Sequence, residues 1–184
     1  SLDITNINNY TYFELKTNIN RTKKQPKPQQ YTANIQYLKL VGEKEFRLGN
    51  WGLDNTLMYQ QVLQQGEHIF NVPTFTTRNT LYFSSYMFKK AMYLQTGLTF
   101  KYFTNYYANE YNPLLADFQV QTDQKIGNYS VTDFFLNAKV RTMRIFFTVE
   151  HLEALLGNYN YYAAPAQPYR DWKVRLGIIW YFFK

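Results

Sequence analysis

The stretch Trp172-Lys173-Val174-Arg175-Leu176-Gly177-Ile178-Ile179-Trp180-Tyr181-Phe182 decides the fold class. Successive residues of an extended chain point to opposite faces, so Trp172, Val174, Leu176, Ile178, Trp180 and Phe182 share one. All six are apolar, and both ends carry an aromatic. Asp171, Lys173, Arg175, Gly177, Ile179, Tyr181 and Phe183 fall on the other face. A tilted strand needs about 9–11 residues to cross a bilayer, with aromatics at the two interfaces. This stretch has both properties.

The preceding segments, 131–140 and 143–152, are joined by Arg141-Thr142. A two-residue turn sets residues 140 and 143 opposite each other, which fixes the register. One face then pairs Val140 with Met143, Ala138 with Ile145, Leu136 with Phe147 and Phe134 with Val149. The other pairs Lys139 with Arg144, Asn137 with Phe146, Phe135 with Thr148 and Asp133 with Glu150. Every charge lies on one side, and only two aromatics depart from the division. A wrong register would have mixed the two sets.

A second hairpin, turning at Lys89-Lys90, divides in the same way. Leu81, Phe83, Ser85 and Met87 share a face with Met92, Leu94, Leu98 and Phe100, whereas Arg78, Tyr82, Tyr86, Tyr93 and Lys101 lie opposite. Further strands are expected near 9–18, 31–41 and 45–63, making about eight. Short turns near 42–44, 89–90 and 141–142 would alternate with long polar connections at 19–30, 64–74, 104–129 and 154–169. Alternating short periplasmic turns and long extracellular loops are the pattern of outer-membrane barrels. The strand near 9–18 has a weak apolar face, so it is not expected to pair with the last strand.

Composition narrows the alternatives. Aromatic residues are 20% of the 184, with 18 Tyr and 15 Phe, while the hydrophobic fraction of 46% leaves no excess for a large soluble core. Cysteine is absent and histidine is limited to His68 and His151, so no metal centre and no cofactor is expected. The net charge of +7 is scattered apart from Arg21 to Lys27, where Pro26 and Pro28 suggest an exposed loop and not a nucleic-acid site. No apolar run suits a transmembrane helix. No secretory leader opens the chain, so Ser1 reads as a mature terminus or an internal cut.

A soluble lipocalin-type barrel also has amphipathic strands. Against it stand the large unbroken apolar faces, the Tyr and Phe mixed among charges opposite them, and the aromatics gathered at strand ends. The expectation is an all-β, transmembrane, antiparallel up-and-down β-barrel, one domain over residues 1–184, in the bacterial outer membrane. Leu136, Ile145, Phe147, Val174, Leu176, Ile178 and Trp180 would face the lipid bilayer. Arg78, Lys101, Asp133, Lys139, Arg144, Glu150, Asp171, Lys173 and Arg175 would line the lumen, with Lys173 and Arg175 supplying counter-charge to Glu150 and Asp133.

Three groups of residues carry a family resemblance. One is Lys125-Ile126-Gly127-Asn128-Tyr129 with Asp133 to Val140, Arg144 to Phe147 and Glu150-His151. The others are Tyr161 to Pro165 with Pro168 to Trp172, and Glu45-Phe46-Arg47-Leu48-Gly49-Asn50-Trp51-Gly52-Leu53-Asp54-Asn55. They resemble the C-terminal region of the putative porins, outer-membrane β-barrels of Bacteroidota, from about residue 31 onwards and most specifically over 125–183. The resemblance implies a C-terminal section of a larger barrel, since the family's members are several times longer. It also implies that Phe182 is the terminal aromatic read by the barrel-assembly machinery.

Three functions remain open. A porin-like channel would pass small polar solutes. A structural barrel would meet other outer-membrane proteins through its long loops. A membrane-embedded hydrolase would need acid–base chemistry at His151 with Glu150 and Glu153. No serine motif accompanies that histidine, which reads as a rim residue, so no enzyme is expected. Eight strands closing alone would be filled by Tyr82, Tyr86, Tyr93, Phe135, Phe146 and Tyr181, favouring the interaction role.

Overall fold

The structure, a computed structural model, describes residues 1–17, 24–66, 68–157 and 161–182. Its strands in chain order begin with β1 (Leu2–Ile7), β2 (Tyr10–Thr17), β3 (Lys24–Tyr31), β4 (Ile35–Leu48) and β5 (Trp51–Leu63). Next come β6 (Phe75–Met87), β7 (Met92–Phe103), β8 (Glu110–Asn112), β9 (Asp117–Val120) and β10 (Tyr129–Val140). The last are β11 (Met143–Glu150), β12 (Tyr162–Ala164), β13 (Gln167–Pro168) and β14 (Lys173–Trp180). No α-helix occurs among the described residues.

Eight strands form one antiparallel up-and-down sheet in the order β1-β4-β5-β6-β7-β10-β11-β14. Short turns close one end, after Leu48, Met87 and Val140, and long connections leave the other. The β10–β11 ladder pairs Val140 with Met143 through to Phe134 with Val149, as the Arg141-Thr142 turn requires. The β6–β7 ladder likewise sets Met87 against Met92 and Leu81 against Leu98. The long-connection end of β10 departs from expectation. There Asp133 lies opposite Thr99 of β7, and its carboxylate accepts the His151 backbone N–H at 3.0 Å.

The first half of the chain corrects the expected strands. Residues 35–48 are one continuous strand, so no turn occurs at 42–44. Gly42 sits mid-strand with open space around it, and the turn falls at Gly49-Asn50, where Gly49 has φ +59°. A two-residue hairpin needs such a left-handed position, which glycine adopts without steric cost. The segment near 9–18 is not in the main sheet either. Its place is taken by β1, which pairs Leu2 with Leu40 and Ile7 with Ile35.

Residues 10–17 instead form β2 of a second sheet, ordered β3-β2-β9-β8. β3 contains Pro26 and Pro28, which lack a backbone donor and so suit only an edge. That is where β3 lies, and Lys24 to Lys27 belong to this strand and not to a loop. The second sheet stands at the long-connection end of the first. Between them Ile35, Ile69 and Val120 form a buried core, packed against Ile7, Tyr10, Tyr12, Tyr31, Val62 and Phe70.

The main sheet is open: among the described residues β14 has no neighbour beyond β11, and no ladder joins residues 9–18 to 172–182. β1 pairs with β4 up to a bond between Ser1 and Val41, and among the described residues no strand pairs with the rest of that β4 edge. One face of the sheet is apolar and uncovered. Leu48 is 84% exposed, Leu176 70%, Ile178 62% and Phe46 57%, and Leu40, Leu53, Leu57, Leu81 and Leu98 are exposed on the same face. An exposed apolar face of this extent marks contact with lipid or protein.

Candidate functional site

The other face carries the chemistry, and the register arranges it in rows across the strands. Nearest the long connections, Arg78 pairs with Lys101. The next row sets Glu45 against Asp54, Asp54 against Thr80, Thr80 against Thr99, and Glu150 against Lys173. Beyond it come Arg47, Gly52, Tyr82, Gly97, Phe135, Thr148 and Arg175. The row nearest the short turns runs Tyr86, Tyr93, Lys139, Arg144 and Ile179.

Three glycines keep this face low. A Cβ on Gly52 would meet the Tyr82 ring at 2.2 Å, and one on Gly177 would meet the Phe146 ring at 2.1 Å. Both rings therefore lie down over the glycine of the neighbouring strand, a packing that replaces the missing side chain. Gly97 has the Leu81 carbonyl oxygen 2.2 Å from its Cβ position and the Tyr82 backbone at 2.8 Å. Tyr82 stretches across Gly52 until its hydroxyl donates to Glu45 on β4. Two of the bulkiest side chains on this face thus cover the wall and do not stand out from it.

Most carboxylates here have cationic partners. Lys101 donates to Asp133. Glu150 takes Arg175 at 2.9 Å and Arg170 at 3.1 Å, and Glu45 takes Arg47 at 2.9 Å. The expected counter-charges are thus redistributed: Arg175 serves Glu150 as predicted, Asp133 is served by Lys101 of β7, and Arg170 takes the part assigned to Lys173. Asp171 precedes β14 in an exposed connection, outside the rows. A cavity of about 460 Å³ lies among Glu45, Asp54, Arg78, Tyr82, Lys101 and Asp133. A second, of about 770 Å³, lies at the short-turn end.

His151 is not an exposed rim residue. It is fully buried, with φ 59° and ψ 61°, at the point where β11 leaves the sheet. Its Nδ1 lies 2.8 Å from the Arg170 carbonyl oxygen, which can only accept, so Nδ1 carries the proton. The ring packs edge-on to Tyr169 and stacks with Tyr161, while Tyr161 in turn stacks on Tyr129 at 4.3 Å. It pegs the last long connection onto the sheet.

The residues assigned to the apolar side do share one face. Leu136 pairs with Phe147, Phe147 with Leu176, Ile145 with Ile178, and Val149 with Val174, while Met143 pairs with Trp180. Phe182 lies just past β14, 74% exposed, stacked on Trp180 at 4.9 Å. Sequence reasoning missed Glu45, Arg47 and Asp54, because it broke β4 in the wrong place. The Gly49-Asn50 dipeptide between alternating segments was the available signal.

An up-and-down antiparallel sheet, apolar on one face and charged on the other, is the architecture from which porin-type walls are built. The chain belongs to the family described as putative porins, whose model matches residues 1–184, the whole sequence and not only the part after residue 31. No curated protein and no solved structure matches it at the significance required.

Proposed function

We propose that these eight strands form part of the wall of a transmembrane β-barrel in the bacterial outer membrane, and that small polar solutes pass passively along its charged face. Family membership supports the location and the class. The passage reading is carried by one observation: Tyr82 and Phe146 are folded flat over Gly52 and Gly177, which leaves a polar lane where upright rings would have filled it. The apolar face then meets lipid, and the short turns face the periplasm. In hydrocarbon each unsatisfied backbone group costs several kcal/mol. The open edges of β14, β1 and β4 therefore pair in a bilayer, either with one another or with further strands. The peg role of His151 favours a non-catalytic wall.

The test is reconstitution of the purified protein into vesicles and planar bilayers. Neutral sugars should equilibrate across the vesicles and conductance should be ohmic. One feature favours a second reading, a barrel that serves other envelope proteins: the separate sheet β3-β2-β9-β8, with its own core, at the long-connection end. Inserted protein in sugar-tight vesicles would decide for that reading.

A further inference from the structure

The charged face is divided, and the division points to a binding site. In the rows through Arg78, Thr80 and Tyr82 it mixes Glu43, Glu45, Asp54, Asp133 and Glu150 with Arg47, Arg78, Lys101 and Arg175. At the short-turn end the larger cavity, of about 770 Å³, is lined by Lys90, Lys139, Arg141 and Arg144 together with Tyr86 and Tyr93. No carboxylate occurs among the described residues around it, and none of these four cations has an ion pair there. Lys139 and Arg144 are direct cross-strand partners. Like charges so placed oppose sheet pairing, and an anion between them removes the cost.

We propose that this end of the face is a binding site for small solutes bearing two or more anionic groups, carboxylates or phosphates. The inference rests on the passage reading for the route by which such a solute arrives. Arg144 presents a planar fork suited to a carboxylate or phosphate, and its guanidinium lies 5.8 Å from the Tyr181 ring, which orients it. Lys139 supplies a second charge from the adjacent strand. Gln95 and Asn137, also in the lining, supply amide donors for the solute's remaining oxygens. The cavity has the volume of a small-molecule site. Rings of Lys and Arg are also how pores favour anions.

The experiment titrates citrate and pyrophosphate into the full chain in nonionic detergent at low salt, followed by calorimetry. Saturable binding is expected, weakened at least tenfold in Lys139→Gln/Arg144→Gln. It should be unchanged in Lys27→Gln/Lys125→Gln, which removes the same charge at the far end of the molecule. Arg144→Lys should fall between, which separates the site from a folding defect. Flat titrations, or equal losses in both double variants, overturn the proposal. Occupation by phosphatidylglycerol in mixed micelles that citrate cannot displace also overturns it, since the anion would then be a headgroup. A chain that conducts without binding citrate loses this site and keeps the passage reading. One that binds citrate without conducting keeps the site and loses passage.

Discussion

The sheet's two flanks make the same architecture from different material. From Phe134 onward in β10, and through β11 and β14, the apolar face has no polar residue, running through Phe134, Leu136, Ala138, Val140, Met143, Ile145, Phe147, Val149, Val174, Leu176, Ile178 and Trp180. In β4, β5 and β6 the same face is crossed by a polar row in which Lys44 pairs with Asn55 and Asn55 with Asn79. The first flank is held by its pattern: a one-residue slip would turn every apolar side chain to the charged side. The second is held more by its turn and by the glycine contacts, because its pattern alone tolerates more than one register.

The largest effect should come from charging the unbroken flank. Leu176→Arg should destabilise the inserted protein by roughly 2–4 kcal/mol, the cost of an arginine near the bilayer midplane. Asn55→Arg, on the interrupted flank, should cost clearly less. Arg175→Leu should be mild, because Glu150 keeps Arg170. Urea-driven unfolding from vesicles measures all three. Equal costs for Leu176→Arg and Asn55→Arg would erase the difference between the flanks, and a harsher Arg175→Leu would invert the faces.

Next in size is the contact at Gly97. A methyl there meets a backbone carbonyl 2.2 Å away, which a rotamer change cannot move. Gly97→Ala should cost about 1–3 kcal/mol, the range for an overpacked site. Gly177→Ala meets only the end of the Phe146 ring, which can swing aside, so the stability loss should be smaller. That variant should instead narrow the lane, lowering conductance more than stability. A Gly177→Ala protein with unchanged conductance would remove the flat-ring argument for passage.

What was legible follows from this contrast. The clean alternation of Val131 to Leu152 and Trp172 to Phe182, with one turn, left a single register, and the ladders match it down to Phe134 with Val149. On the other flank the glycine of Gly42-Glu43-Lys44 has the look of a turn, whereas the true turn at Gly49-Asn50 lies within a segment that alternates like a strand. Two predictions separate these glycines. Gly49→Ala, at φ +59°, should cost about 1–2 kcal/mol, as a left-handed residue with a Cβ does. Gly42→Ala, with open space around it, should be neutral or stabilise by about 0.5–1 kcal/mol. The partners of Asp133 and Glu150 were only half legible, because Arg170 and the His151 backbone reach them from the rim, where alternation carries no information. The second sheet was not legible either, since the parallel contact of Phe13 with Gln119 joins segments far apart in the chain.

The smallest expected effect is at Lys44, and it tests whether the polar row is a defect in a lipid face or something milder. Lys44 lies on the apolar face four residues before the end of β4, at the short-turn side. In the proposed membrane wall, at about 3.3 Å per residue and with a tilt near 40°, that would be roughly 10 Å below the interface. A lysine stem laid along the strand can carry its ammonium most of that way, burying methylenes against lipid while the charge stays in the headgroups. With the apolar face against lipid as proposed, such a stem would largely relieve the penalty. Lys44→Leu should raise stability in vesicles by no more than about 1 kcal/mol, the allowance for a charge near the interface. Lys44→Asp, whose short side chain cannot reach the headgroups, should be worse than wild type. A gain well beyond that from Lys44→Leu would place the residue deep in hydrocarbon, and the two flanks would then differ in stability as well as in pattern.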